Sequence, residues 1–335
     1  MKNAKNLLNI NTHLYFLLGL LIVSTFMTSE DLFALSSNST DIYEIQEDTS
    51  DPYESRFFRV RGTPSIDVSS LNGNIEVIYN PDIEGVQVDL YVSRRFSLWS
   101  GTRSLDDFRI IMRQQGNRII ASVDEKRSGS PRRSGDISFH FVIQTPGKAN
   151  TQLRTMIGNI TLRNHEGDHF IQNQIGDIVV SLTDGKIQAV STEGDINMEG
   201  LTGIIFAKTV SGDINMNGGS GEMRFRSVSG NVNAVELNGT LIAASNSGEV
   251  NAVFQDVTVG VSLESVSGSV SVVLPEGIGY SVEGRGLRFN WNGLNQDQIS
   301  NLSQRNRDFS LITSDGEIPI ELSTVAGTVT ISHTE

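Results

Sequence analysis

The sequence predicts an all-β fold: a single-stranded parallel β-helix, or β-solenoid, with about 18 residues per coil and irregular capping strands at both ends. Three observations predict it. Eleven glycines stand at a spacing of nine without exception: Gly158, Gly167, Gly176, Gly185, Gly194, Gly203, Gly212, Gly221, Gly230, Gly239 and Gly248. A period this strict places the same positive-φ or crowded corner once per structural unit. Aligned in coils of 18, the residues between the glycines alternate apolar and polar, as half-buried strands do. Finally, 32 glycines against 7 prolines, with 38% hydrophobic and 19% charged residues in 335, describe a turn-rich globular β protein and not a disordered chain.

The elements follow in order. Lys2 and Lys5 precede an apolar run from Leu14 to Val23, then polar and small residues, the three-part layout of a secretory signal over 1–34. The run is short for a membrane span. Cleavage after Ala34 or near Thr25 is expected, with an uncleaved anchor as the alternative. Residues 35–56 hold six acids and read as a solvated tether. From Phe57 to residue 153 an irregular β region is expected, with strands in FFRVRG, SIDVSS, NGNIEVIYN and GVQVDLYVS. Gly73 already carries the local form of the repeat. Arg109 to Val123 reads as a hairpin turning at Gln115-Gly116-Asn117, and ISFHFVIQTP as a strand.

The regular solenoid is expected over 154–272. One inward column runs Ile160, Ile178, Ile196, Ile214, Val232, Val250, and its neighbour Leu162, Val180, Met198, Met216, Ala234, Ala252. A second strand gives His169, Ile187, Ile205, Met223, Leu241, Val259, then Ile171, Ala189, Ala207, Phe225, Ala243, Val261. Thr155, Asn173, Ser191, Thr209, Ser227 and Ser245 lie in phase with them, suited to hydrogen-bond one another and the backbone. The period slips after Gly248: Val257 stands where a glycine was due and Gly268 arrives 20 residues on. Over 273–335 the pattern lapses around Trp291 and returns near Gly327, so this part is expected to cap the open end and shield its edges.

Four constellations are candidate sites. Asn159, Asp177, Asp195, Asp213, Asn231 and Glu249 follow the corner glycines. Aspartates stacked about 4.8 Å apart repel by about 0.9 kcal/mol per neighbouring pair in water, which a calcium ion would relieve. The bare GDIN turn lacks the further ligands of nine-residue calcium repeats, so carboxylates capping backbone amides are expected, and no metal or cofactor site is assigned. In HEGDH, His165, Glu166, Asp168 and His169 are metal-ligand types, but the alignment puts His169 inward and His165 in a turn, facing different ways. From Arg94 to Arg133 stand ten of the 26 basic residues against four acids; Arg127, Arg132 and Arg133 are the candidate anion-binding group. An outward column of Phe170, Gln188, Phe206, Arg224 and Ile242 calls for cover, expected from the N-terminal strands.

The succession QTPGKANTQLRTMIGNITLRNHEG, TEGDINMEGLTGIIFAKTVSGDINMNG, SVSGNVNAV and STVAGTVTI resembles a bacterial family of unknown function known as a putative adhesin with β-strand repeats, over residues 57 to 335. The resemblance implies a single-stranded β-helix, exported or attached to the envelope, with no catalytic residues to carry over. The expected function is therefore a non-catalytic structural or binding module of the cell envelope, periplasmic or at the surface, whose partner is an envelope polysaccharide or a surface or membrane protein. A periplasmic accessory of envelope-stress sensing is the alternative; a β-helix polysaccharide-active enzyme would need paired carboxylates or an Arg and Asp cluster interrupting the repeat. A net charge of −13 argues against nucleic acid. The absence of cysteine excludes disulfides, thiolate metal sites and a lipid-modified cysteine. No segment after the signal is apolar enough to cross a bilayer.

Overall fold

Ile178 pairs in parallel with both Ile160 and Ile196, and Ile196 with Ile214, so each turn of the chain rises one rung after 18 residues. This computed structural model describes residues 51–94, 104–126, 137–292, 299–314 and 316–333. Two walls of parallel ladder enclose one core. The first wall stacks Ile160, Ile178, Ile196, Ile214, Val232 and Val250, all fully buried. The second stacks His169, Ile187, Ile205, Met223 and Leu241. A third buried column comes from the turn between the walls, where His165, Thr183, Leu201, Gly219 and Leu237 point inward. Burying an Ile or Val fully contributes about 1.5 to 3 kcal/mol, so the stack is held collectively and each coil depends on its neighbours.

The second inward column departs from the sequence expectation at its far end. Val259 is 69% exposed. Leu241 pairs instead with Val261 and Ala243 with Leu263, because two extra residues are accommodated after the Gly239 to Val257 pair. The same insertion accounts for the 20-residue step from Gly248 to Gly268. A β-bulge absorbs the surplus locally so that the buried alternation resumes on the correct face.

Two lines of glycine turn the corners. At Gly212, φ is +146°, and an added Cβ would run into the carbonyl oxygen of Gly194 one rung below. Gly194 meets Gly176, and Gly230 meets Gly212, in the same way. Gly248, Gly268 and Gly327 continue the column without a left-handed φ; there the crowding alone excludes a side chain. The buried hydroxyl column closes these corners. Ser227 donates to the Gly212 carbonyl at 3.0 Å, Ser245 to Gly230 at 2.8 Å and Thr324 to Gly268 at 2.7 Å. The hydroxyls thus bond the corner backbone and not one another, while the Ser191 hydroxyl has no partner.

At both ends the chain reverses its stacking order. Ser65–Asn72 and Ile75–Tyr79 form a coil that lies directly beneath Asn150–Ile157 and Ile160–Arg163, with Ile66 opposite Thr151 and Ile75 opposite Ile160. The ladder is unbroken between them. The intervening excursion lies outside that coil: Arg118–Glu125 and Ile137–Thr145 pair in parallel with its other edge. Antiparallel strands then finish the stack, Phe108–Gln115 on Arg118–Glu125, and Val86–Arg94 on Ile137–Thr145 with Glu54–Phe58 beyond it. The Phe108 hairpin turns at Gly116, φ +61°, with Gln115 opposite Arg118.

The other end repeats the device. Ile318–Thr324 and Thr328–His333 stack on the last solenoid coil, and the preceding segments Tyr280–Arg285 and Arg288–Asn292 lie outside them. Asp308–Thr313 and Ile299–Arg305 close the second wall antiparallel. Phe309 plugs this end, edge-on to Phe289 at 4.5 Å and to Trp291 at 4.9 Å, over Gly284, where a Cβ would strike its ring.

Candidate binding faces

The strands turn alternate residues outward, so each wall carries straight columns of side chains one rung apart. On the first wall, Asn197, Asn215, Asn233 and Asn251 form a ladder in which each amide nitrogen donates to the oxygen below, at 3.0, 3.2 and 3.1 Å. An Asn side chain has two donors and an oxygen with two lone pairs, so ladder bonding leaves hydrogen-bonding capacity facing solvent. The ladder borders a shallow groove of about 600 Å³ with Arg163, Ser181 and Glu199 on its rim. Sequence reading passed over this ladder, although Asn recurs at 18-residue intervals after the corner glycines.

Beside it stands the column of corner carboxylates. Asp177 Oδ1 accepts from the Asp195 amide at 2.9 Å, Asp195 Oδ1 from Asp213 at 2.8 Å, and Asp213 Oδ1 from Asn231 at 2.7 Å. Asn159 and Asn231 do the same for Asp177 and Glu249. Each carboxylate is engaged with a backbone N–H, which offsets part of its repulsion from the next. Among the described residues no group of three or more His, Asp or Glu is placed to hold a metal ion.

His165 and His169 do not face different ways. Both rings are buried in the core, 6.3 Å apart and edge to face. The inward turn column was not foreseen because its other members, Thr183, Leu201, Gly219 and Leu237, share no chemical type. His169 Nδ1 lies 3.0 Å from the Thr151 hydroxyl, and its Nε2 and both His165 nitrogens have no hydrogen-bond partner. Burial, with His165 adding to it, pushes His169 down to about 4. Burial also lowers His165, against a smaller opposing pull from the Arg163 backbone, which lies near the ring without satisfying hydrogen-bond geometry. Two neutral imidazoles in an apolar core lack the carboxylate partners of a metal centre. Glu166 and Asp168 point outward, Glu166 to Lys148 at 2.8 Å.

The column Phe170, Gln188, Phe206, Arg224 and Ile242 runs up the second wall. The expectation that N-terminal strands cover it is overturned: those strands extend the end of the stack, and Ile242 remains 47% exposed. Free ladder edges attract strands more strongly than a flat outer face does, because they offer unpaired backbone groups.

Arg127, Arg132 and Arg133 lie outside the described residues. Within the same basic stretch Arg118 pairs with Asp67 at 2.5 Å and Arg109 with Asp124 at 3.8 Å. At the C-terminal end a cleft of about 550 Å³ is lined by Glu283, Arg285, Arg305, Asp308 and Glu321. Arg285 Nε donates to Asp308 at 2.7 Å, and that hydrogen bond holds the Asp308 carboxyl below the usual carboxylate range. This is the opposite of the raised pKa a general acid requires. Among the described residues no helix is long and apolar enough to cross a membrane.

No curated protein matches the chain. Among solved structures it is similar to a putative adhesin from Bacteroides fragilis, 12% identical with a TM-score of 0.38, over 84% of this chain and 96% of that one. It is also similar to a putative adhesin from Parabacteroides distasonis, 10% identical with a TM-score of 0.33 over 84% and 96%. A putative cell adhesion protein from Clostridium sporogenes is 11% identical with a TM-score of 0.21, over 84% and 98%. At such scores the likeness carries no functional argument. Residues 217–332, the upper coils and the C-terminal cap, match the model of the family Toastrack DUF4097, which supports the resemblance to a family of unknown function with β-strand repeats.

Proposed function

We propose that the chain is an exported, non-catalytic β-solenoid serving as a structural or binding module of the cell envelope, an adhesin in kind. The observation that carries this reading is the pair of long, laddered outer walls, typified by Asn197, Asn215, Asn233 and Asn251. Repeated polar side chains on a rigid parallel ladder make an extended contact surface, which suits a polymer or a broad partner surface better than a small substrate. Export is supported by Lys2, Lys5 and the apolar run to Val23.

The test is protease shaving of intact cells with a periplasmic protein as control. Digestion with the control intact is the expected result and places the solenoid at the surface. Protection of both under conditions that digest a known surface protein would confine it inside the envelope and overturn the adhesin reading. Mass spectrometry of the mature N-terminus then separates a released form from an anchored one.

A further inference from the structure

The outer side of the second wall is charged against the grain of the molecule. Across the rungs from Asn150–Ile157 to Val232–Ser245, with Lys148 in register below Glu166, it carries Lys148, Arg154, Lys186, Lys208, Arg224 and Arg226 against Glu166, Asp168, Asp184 and Glu222, a local excess of cations in a chain of net charge −13. Glu222 is taken up by Arg224 at 2.6 Å, while Lys186, Lys208 and Arg226 are exposed and make no ion pair among the described residues. Above these rungs the wall turns acidic, with Glu264, Glu283 and Glu321; below them Asp67 is taken up by Arg118 and lies 3.8 Å from Arg154. The first wall is different: its asparagine ladder is edged by Asp177, Asp195 and Asp213. An approaching anion is therefore steered to this zone of the second wall and away from its acidic upper end.

Within that zone apolar groups recur on alternate rungs of the central column, at Phe170, Phe206 and Ile242, hence about 10 Å apart. Both phenyl rings are half-buried, and the Arg154 guanidinium stands 5.3 Å from the Phe170 ring centre. A row of cations beside a row of spaced apolar platforms matches an extended sugar polymer that carries carboxylates. Guanidinium groups pair with carboxylates in a fixed fork, and an extended chain of alternately flipped pyranoses turns the same C–H face down at every second ring. A second copy docked by twofold symmetry would set these cations against themselves.

We propose that this face binds an extended carboxylate-bearing polysaccharide laid along the stack, over a footprint of about 24 Å for six rungs. This rests on the binding-module reading and names its ligand class.

The experiment measures binding of the full chain to polygalacturonate and to alginate, with methyl-esterified polygalacturonate and phosphatidylglycerol-containing vesicles alongside. Both acidic polymers should bind, more weakly as salt rises. The Lys208→Ser, Arg226→Ser double variant should lose tenfold or more, Phe206→Ser at least fivefold, and Arg163→Ser on the other wall less than twofold. Far-UV circular dichroism checks folding; should the double variant fail to fold, Lys186→Glu replaces it, with a loss of at least threefold expected. Binding of neither polymer, undiminished binding by the folded cation variant, or preference for the ester or the vesicles would overturn the proposal. Failure here with the protein still cleaved on intact cells removes the ligand class and leaves the module reading; protection on cells removes the surface reading and leaves binding to purified polymer standing.

Discussion

The middle of the solenoid and its two ends solve the same problem by different means. Between Asn150 and Val250 each coil rests on the one before it, and sequence order equals stacking order. At the ends the order inverts: Ser65–Tyr79 and Ile318–His333 are inner coils, while the strands Arg118–Glu125, Ile137–Thr145, Tyr280–Arg285 and Arg288–Asn292 lie outside them. The difference teaches that a periodic ladder specifies how to continue but not how to stop. Stopping takes antiparallel strands, which end the parallel pattern, and aromatic plugs such as Phe309, which seal the core. Inversion also places an inner coil, held on both sides, where a frayed terminus would otherwise sit.

The sharpest break between the regions comes from glycine. Gly212→Ala forces a Cβ into the Gly194 carbonyl at an unfavourable φ and should cost about 3 to 5 kcal/mol, whereas Gly277→Ala, with φ +82° and nothing nearby, should cost about 1 kcal/mol. Urea-unfolding midpoints of the two variants read the contrast. Phe309→Ala empties the C-terminal plug and should cost about 3 kcal/mol. Its second signature is concentration-dependent association through the loosened edge, measured by analytical ultracentrifugation, which Gly277→Ala should not show.

Acid probes the lower coils. The folded pKa of His169, about 4, lies below its unfolded value of about 6.5. Its neutral form is therefore favoured by folding: full stability holds above pH 6.5 and is lost as pH falls toward 4, by up to about 3 kcal/mol. His169→Ile, matching Ile187 on the next rung, should flatten the dependence of melting temperature on pH over that window. A still finer comparison uses two hydroxyls of one column. Ser227→Ala removes the bond to the Gly212 carbonyl and should cost about 1 to 2 kcal/mol, while Ser191→Ala removes a hydroxyl without a partner and should cost nothing or stabilise slightly.

Much of the fold was legible before any coordinates. Ile160 to Val250 and Leu162 to Ala252 are buried as their alternation demands, since burial in a strand is a local, period-two property. Val259 was misplaced because the count of 18 was carried through a bulge that only pairing partners reveal. His165 was misplaced because a turn residue has no alternating neighbours to declare its direction. The binding faces were legible in part: the Phe170 column was seen as outward, but its cover was wrongly assigned and the Asn197 ladder went unnoticed.

The sequence alone determined the period, the corners and the inward columns, because in a solenoid each coil touches only its neighbours and the repeat writes those contacts locally. Only the tertiary structure decided which distant segments share a rung. Ile66 meets Thr151 and Val270 meets Val329 across long excursions, chosen by which ladder edges remained open. It also decided the charge of each wall, since Arg154, Lys186, Lys208 and Arg226 are scattered in sequence and gather only when successive rungs are laid about 4.8 Å apart.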